Sequence, residues 1–150
     1  MSFLMVCAST PEGCGRQQPA NGDKVSHLLT ILIVDDSALV RRALRSTIEH
    51  NAALCVCGEA ENGKIGVEKV KQLQPDTVIL DLQMPVMNGL EAAREISEIA
   101  PRTLMLMYTM HCSEQLSKAA RAAGIQKVFS KSDRGPSQLI AWLSNALVRQ

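Results

Sequence analysis

Five short apolar runs, each followed by a helical pattern, constrain the fold of this chain more than any other feature of its sequence. The third run, residues 78–80, is apolar at every position and shows no alternation with polar residues. Such a run is typical of a strand that is covered on both faces, as in a parallel sheet. Asp81 follows it directly, and Pro85 and Gly89 then interrupt regular structure. The sequence therefore predicts that Asp81 lies at the carboxyl-terminal edge of a parallel sheet, where open α/β sheets bind ligands.

The other runs repeat this arrangement. Val40, Leu44 and Ile48, with Leu39 and Ala43 beside them, form the predicted inward face of the first helix. The alternation of strand and helix predicts an α/β, flavodoxin-like fold with a doubly wound five-stranded parallel sheet in the order 2-1-3-4-5 and five helices. Strands are predicted at residues 31–34, 54–58, 77–80, 103–108 and 126–130.

Composition excludes several classes of protein. The 150 residues predict one domain with a sizeable core. Sixteen Lys and Arg residues against 15 Asp and Glu residues give a net charge of +1, so no overall field favours nucleic acid or an anionic membrane as a partner. One Trp, one Tyr and two Phe are too few for a base-stacking platform. No apolar stretch approaches the roughly 20 residues that a membrane-spanning helix needs.

The cysteines favour a reducing compartment. The five of them form no C-x-x-C pair and are odd in number, which argues against a disulfide framework or a zinc site. Cys55 and Cys57 lie two residues apart on the predicted second strand and are expected to pack in the core. We therefore expect a cytoplasmic protein.

Residues 1–28 are predicted to form a flexible N-terminal extension, and residues 29–150 to form the folded domain. The extension contains Pro and Gly residues with little apolar periodicity. It is either a flexible partner-binding tail or an unstructured or misassigned N-terminus, and we favour the second interpretation. Translation from a later start near Val25 would leave the folded domain intact. The intact mass of the native protein distinguishes the two.

Polar residues follow the ends of four predicted strands: Asp35 and Asp36 after the first, Asp81 after the third, Thr109 after the fourth and Lys131 after the fifth. In the order 2-1-3-4-5 the first and third strands are neighbours, so three carboxylates are expected to meet in one pocket. Carboxylates this close repel one another unless a cation is present, and oxygen-only ligation suits Mg²⁺. The pocket is therefore predicted to let Asp81 accept a phosphoryl group, while Lys131 neutralises the transferring oxygens and Thr109 binds the attached group.

These segments resemble the receiver domain of two-component response regulators over about residues 29–148. The resemblance implies that Asp81 is the phosphoacceptor. It also implies that Asp36, Asp81 and the main-chain carbonyl of Gln83 ligate magnesium, with Asp35 supporting the metal site. A sensor histidine kinase or a histidine phosphotransfer protein would be the donor. The resemblance is carried by Ile-Leu-Ile-Val-Asp35-Asp36-Ser, Asp81-Leu-Gln-Met-Pro-Val-Met-Asn-Gly, Thr109 and Lys131.

The end of the chain leads us to expect a stand-alone receiver that is not an enzyme. Gln150 follows directly after the fifth predicted helix, which leaves no room for a DNA-binding or enzymatic output domain. The output is then a contact between a downstream target protein and the face of the fourth and fifth strands and last two helices, or a relay of the phosphoryl group. We expect no direct binding to nucleic acid, no membrane association, and a monomer or weak dimer.

Two positions near Lys131 depart from the family's pattern. Receivers usually carry Tyr or Phe three residues before the lysine, as a ring that rotates on activation, whereas this chain has Val128 there and Phe129 next to it. A conventional aromatic switch is therefore in question. Ser132 replaces the proline that commonly follows the lysine, so a cis peptide bond is not assumed.

Three further positions bear on the predicted pocket. Met110 stands where receivers typically have a small residue after Thr109, and we predict that it narrows access to Asp81 for small donors such as acetyl phosphate. Gln83 and His111 stand where the family tunes how fast water removes the phosphoryl group.

Other functions fit the sequence less well. A hydrolase of the haloacid dehalogenase class needs a second acid two residues after the nucleophile, where this chain has Gln83. A flavodoxin-like carrier needs a phosphate loop after the first strand, where Asp35 and Asp36 would repel phosphate. A receiver-like interaction module that is never phosphorylated remains the alternative, and Val128 and Met110 favour it.

Overall fold

The computed structural model describes residues 28–148, which form a parallel sheet with helices on both faces. The strands are β1 (Leu29–Val34), β2 (Leu54–Ala60), β3 (Thr77–Leu80), β4 (Leu104–Thr109) and β5 (Lys127–Ser130). The helices are α1 (Ala38–Glu49), α2 (Gly63–Leu73), α3 (Gly89–Ile99), α4 (Glu114–Ala122) and α5 (Gly135–Val148). The strand order is β2-β1-β3-β4-β5 with all pairs parallel, which confirms the predicted fold. Apart from Leu28, the predicted N-terminal extension lies outside the described residues.

Two apolar clusters, one on each face of the sheet, explain why the strand sequences do not alternate. Leu32 and Val34 of β1 pack with residues of α2, α3 and α4, whereas Ile31 and Ile33 pack with residues of α1 and α5. Both sides of β1 are therefore removed from water, and all six of its residues are buried. This is the arrangement that a run of continuous apolar residues in a parallel sheet predicts.

Four helices begin in the same way. The side-chain oxygen of the N-cap residue accepts a hydrogen bond from the N–H group three residues later. Each such cap satisfies a backbone donor that the helix leaves unpaired, and contributes about 1 kcal/mol. Because each helix follows a strand, these starts lie at the carboxyl-terminal edge of the sheet and hold the loops there. The four N-cap residues are Ser37, Asn62, Asn88 and Ser113.

The first helix corrects one detail of the prediction. Leu44 and Ile48 are buried and Val40 is half-buried, as expected. Leu39, however, is 74% exposed and Ala43 is also exposed, so neither belongs to the inward face. The buried residues recur every four positions, and a residue one position before this stripe is turned about 100° away from it.

The second strand corrects the prediction for the cysteines. β2 extends two residues beyond the predicted end, and its register with β1 shifts so that Cys57 is an extra residue. Cys57 is a buried free thiol, as expected, and burial raises its pKa to about 11. Cys55 is instead disulfide-bonded, and the other half of that bond lies outside the described residues. Its side chain is half-buried on β2, an edge strand of the sheet.

Candidate functional site

Strand pairing brings the predicted polar residues to one edge of the sheet. Val34 pairs with Leu80, and the N–H group of the next residue, Asp81, donates to the carbonyl of Val34 over 2.9 Å. On the other side, the N–H group of Lys131 donates to the carbonyl of Thr109 over 2.8 Å. Asp81, Thr109 and Lys131 therefore all lie at the same edge of the sheet.

Three carboxylates meet at this edge. Asp35, Asp36 and Asp81 each offer an oxygen atom, and these oxygens lie within 4.8 Å of one another. Asp35 is 2% exposed and Asp81 is 6% exposed, whereas Asp36 is open to solvent. The group therefore forms a recess with two buried acids and one exposed acid at its entrance.

Lys131 bridges the two buried acids. Its Nζ atom lies 2.7 Å from Oδ2 of Asp35 and 3.2 Å from Oδ2 of Asp81. The same atom lies 5.8 Å from the centre of the Tyr108 ring, within the range of a cation–π contact that the sequence did not predict. Thr109 is 3% exposed at the end of β4. The predicted lysine thus reaches the predicted acids, and one positive charge serves two buried negative charges.

The electrostatics of the recess favour one further cation. Burial raises the pKa of the Asp81 carboxyl, and the negative charge of Asp35 raises it further, although Lys131 acts in the opposite direction. Burial opposes the charge of Lys131, yet its hydrogen bond to Asp35 and its attraction to both acids raise its pKa above the ordinary value. The lysine therefore stays protonated, and the acids remain short of positive charge.

The loop after Asp81 is held close to it by hydrogen bonds and by a glycine. Oδ1 of Asp81 accepts a hydrogen bond of 2.8 Å from the N–H of Leu82, and the N–H of Gly89 donates to the carbonyl of Leu82 over 2.9 Å. A Cβ atom at Gly89 would lie 2.1 Å from the carbonyl oxygen of Asp81, which is far inside contact distance. Glycine is therefore required where this loop turns back into α3. Gln83 lies within the loop with its side chain exposed, and its role as a ligand stays a prediction.

Asp35 is also held through its backbone, which sequence reasoning missed. Its Oδ1 atom accepts a hydrogen bond of 2.9 Å from the N–H of Ser37, and its carbonyl accepts one of 2.6 Å from Nη1 of Arg41. An arginine in an amphipathic helix gives no signal of such a contact, because most arginines on helix surfaces extend into solvent.

The departures from the receiver pattern have clear positions. Val128 is half-buried and packs on the side of α2, α3 and α4, whereas Phe129 is buried on the side of α1 and α5. Neighbouring strand residues point to opposite faces, so the Phe129 ring cannot take the place of a ring at Val128. Met110 is 65% exposed and His111 is also exposed, both directly after β4.

The donor set suits a hard divalent cation. All three nearby side chains are carboxylates, and no thiolate or imidazole joins the group that could hold a metal within the described residues. Oxygen ligands and a partly open position are typical of Mg²⁺, which keeps several of its waters when it binds to proteins.

Comparisons with known proteins agree with this geometry. The model of the family described as response regulator receiver domain matches residues 31–143. The chain is 39% identical over 106 residues to a protein-glutamate methylesterase/protein-glutamine glutaminase of Symbiobacterium thermophilum, which covers 71% of this chain and 29% of the relative. It is 43% identical over 79 residues to the transcriptional regulatory protein YdfI of Bacillus subtilis, covering 53% of this chain and 37% of that protein.

Solved structures match over a larger share of their length. The response regulator domain of CheB from Thermotoga maritima has a TM-score of 0.72 at 28% identity, covering 82% of this chain and 96% of that chain. The chemotaxis protein CheY4 of Vibrio cholerae has a TM-score of 0.71 at 27% identity, covering 79% of this chain and 98% of that chain.

The matched methylesterases are longer proteins, and this chain spans about a third or less of their length. Among the described helices, none combines the length and the apolar character that crossing a bilayer requires. The matched family model covers three quarters of the chain and both strand ends that carry the buried acids. The chain therefore belongs to the response regulator receiver domain family of two-component systems.

Proposed function

We propose that this receiver domain accepts a phosphoryl group on Asp81 in a magnesium-dependent reaction, from a histidine kinase or a histidine phosphotransfer protein. One observation carries the proposal: Lys131 bridges Asp35 and Asp81 within a recess of three carboxylates. Two buried acids beside a single lysine are short of positive charge, and a divalent cation supplies what they lack. A purely structural ion pair would need only one of the two acids.

The chemistry follows from the groups present. A carboxylate oxygen of Asp81 attacks the phosphorus atom of a phosphohistidine. The new P–O bond gives an acyl phosphate, while the P–N bond breaks and its electron pair returns to the imidazole. We expect Lys131 and the Thr109 hydroxyl to bind the oxygens of the transferred group, because charge neutralisation and positioning supply most of the catalysis in such transfers. Mg²⁺ held by these acids would supply further positive charge for that neutralisation.

The proposed magnesium ligands are Asp36, Asp81 and the main-chain carbonyl of Gln83, with Asp35 supporting them. Two observations support this proposal. The three carboxylates lie in one cluster, and the loop that contains Gln83 turns back beside Asp81 through the hydrogen bond between Gly89 and Leu82. Of the three acids, only Asp36 is open to solvent, which suits a ligand that a metal ion meets as it enters the site from water.

For output, we propose that the domain signals as a non-enzymatic, stand-alone protein, through its own surface or by relaying the phosphoryl group. The chain matches 98% of the solved chain of the chemotaxis protein CheY4, which supports a receiver of this extent as a folded unit. The curated relatives include enzymes of which this chain matches a minor part. The intact mass of the native protein tests the proposal, because a larger mass would reveal an additional output domain.

Phosphate-affinity gels test the phosphoacceptor. We expect wild type to shift after incubation with acetyl phosphate and Mg²⁺, or with a phosphorylated histidine kinase, and Asp81→Asn to remain unshifted. Asp76→Asn is the matched control, because Asp76 lies at the opposite end of β3, and it should shift like wild type. If wild type never shifts with any donor while it remains folded, the alternative of a non-phosphorylated interaction module replaces this proposal.

A further inference from the structure

The contact between Arg41 and the backbone of Asp35 fixes more than Asp35 itself. Nη1 of Arg41 donates to the carbonyl oxygen of Asp35 over 2.6 Å, and the Arg41 side chain is only 17% exposed. That oxygen belongs to the peptide group joining Asp35 to Asp36. A peptide group is planar, so holding its oxygen orients the plane that contains the Cα atom of Asp36. The Arg41 contact therefore helps to fix the position of the Asp36 Cα atom at the end of the strand.

Asp36 depends on this backbone contact because its own side chain makes few contacts that could hold it. Within residues 28–148, the Asp36 carboxylate makes no hydrogen bond or ion pair, whereas both oxygens of Asp35 are engaged. The two acids thus reach the recess by different means. Asp35 is held through its side chain and its carbonyl, whereas Asp36 is held through the peptide group that it shares with Asp35.

Arg41 is itself held by an acid on β2. Its Nε atom lies 3.2 Å from Oε1 of Glu59, and the other oxygen of that carboxylate lies 2.9 Å from Nε of Arg45. The carbonyl of Glu59 accepts a hydrogen bond from Nζ of Lys69 on α2. Glu59 is therefore anchored by α1 and α2 together, and the guanidinium of Arg41 can bond Glu59 with one edge and Asp35 with another.

We propose that Arg41 is a positioning residue for the acidic site, held by Glu59, and that it sets the affinity of the site for magnesium through the Asp35–Asp36 peptide. This inference rests on the proposed phosphoacceptor function and adds a residue that lies outside the recess. Groups that orient metal ligands from behind typically change metal affinity by about 10- to 100-fold when they are removed.

Arg45 provides a matched control. It shares Glu59 with Arg41 and lies one turn further along the same helix, and its Nη1 atom lies 3.2 Å from Glu49. Within the described residues it makes no hydrogen bond to Asp35. Arg45→Gln therefore removes charge and ion pairs from the same network and leaves the peptide contact in place, whereas Arg41→Gln removes the contact.

The first test is a magnesium titration of the full, metal-free, unphosphorylated protein by calorimetry. We expect Arg41→Gln to weaken magnesium binding by about tenfold and Arg45→Gln to change it by less than about twofold. Arg41→Lys should lie between wild type and Arg41→Gln, because one ammonium cannot reproduce both edges of the guanidinium. Urea unfolding confirms that each variant is folded, and Arg41→Lys replaces Arg41→Gln if the latter is not.

A second measurement needs no metal. The Ser37 N–H group donates to Oδ1 of Asp35, so its hydrogen exchange reports whether the turn after β1 stays in place. We expect faster exchange of this group in Arg41→Gln than in Arg45→Gln. Equal effects of the two variants in both measurements would overturn the inference, as would tighter magnesium binding by Arg41→Gln. If wild type takes up no magnesium, the proposed function fails, and the exchange of Ser37 still decides the positioning role.

Discussion

Two aspartates flank β3, and they are held in opposite ways. Asp76 precedes the strand, and its Oδ2 atom accepts hydrogen bonds of 3.0 Å from both the N–H and the hydroxyl of Thr30. Asp81 follows the strand and lies beside a second buried carboxylate, Asp35, with Lys131 shared between them. Asp76 meets uncharged donors on a neighbouring strand, whereas Asp81 meets a charge of its own sign.

The difference separates a carboxylate that stabilises the fold from the proposed phosphoacceptor. Hydrogen bonds from Thr30 tie the Asp76 carboxylate to the start of β1, so this acid stabilises the fold. Near Asp81, burial and the charge of Asp35 raise the pKa and leave the ionised form short of compensation. The same residue type on the same strand therefore gives stability at one edge of the sheet and an unmet demand for positive charge at the other.

Removing Lys131 should give the largest effect on this comparison. We expect Lys131→Met to lower the free energy of unfolding by about 3 kcal/mol at pH 7, because two buried acids then lack their shared partner. Lys127→Met is the control, since Lys127 is an exposed lysine on the same strand. Urea unfolding of both variants measures the difference. A loss no greater than that of the control would show that the acids do not need the lysine.

The pH dependence of Lys131→Met has a definite sign. The pKa of Asp81 is raised by folding, so the stability that its protonated form contributes is present below its unfolded value of about 3.9 and is lost as pH rises through the folded value. Without Lys131 that loss becomes larger. The difference from wild type should therefore grow between about pH 4 and pH 7, and added magnesium should reduce it at pH 7.

Asp76→Ala should have a smaller effect, confined to stability. We expect it to cost about 2 kcal/mol, because the N–H and the hydroxyl of Thr30 lose their acceptor. Asp76→Asn should cost less, since its amide keeps one oxygen acceptor. Phosphoryl uptake at Asp81 should be unchanged in both variants when it is measured on phosphate-affinity gels below their melting temperature. Loss of uptake in folded Asp76→Ala would show that the two ends of β3 are coupled.

Sequence patterns predicted the strand order and the elements, because apolar runs and cap residues act locally. They also predicted that Lys131 and Asp81 would approach, since both follow strands of one parallel sheet. They missed the Arg41 contact and the Tyr108 ring, because such contacts depend on side-chain rotamers rather than on position along the chain. The exposure of Leu39 was missed for a related reason. Leu39 and Val40 are adjacent and both apolar, so the sequence does not show which of them lies on the narrow buried face of the helix.

An exposed apolar side chain lies at each edge of the sheet, and the pair allows the two edges to be compared by the rate of phosphorylation. Met110 directly follows β4, at the edge of the sheet that carries the acidic recess, and Ile99 ends α3 at the opposite edge. They are 65% and 43% exposed, respectively. We expect Met110→Ala to speed phosphorylation by acetyl phosphate about threefold, equal to roughly 0.7 kcal/mol of barrier, because Asp81 is recessed and the shorter side chain opens its approach.

Ile99→Ala is the control for this prediction, because it removes a comparable exposed side chain from the far edge and should leave the rate unchanged. The rate is followed by the appearance of the shifted band with time at fixed Mg²⁺. A phosphorylated histidine kinase supplies the second comparison, since a protein donor brings its own surface to the recess and gains less from a wider entrance. If Met110→Ala leaves the acetyl phosphate rate at the wild-type value, access to Asp81 is limited by the buried position of the carboxylate and not by the side chain beside it.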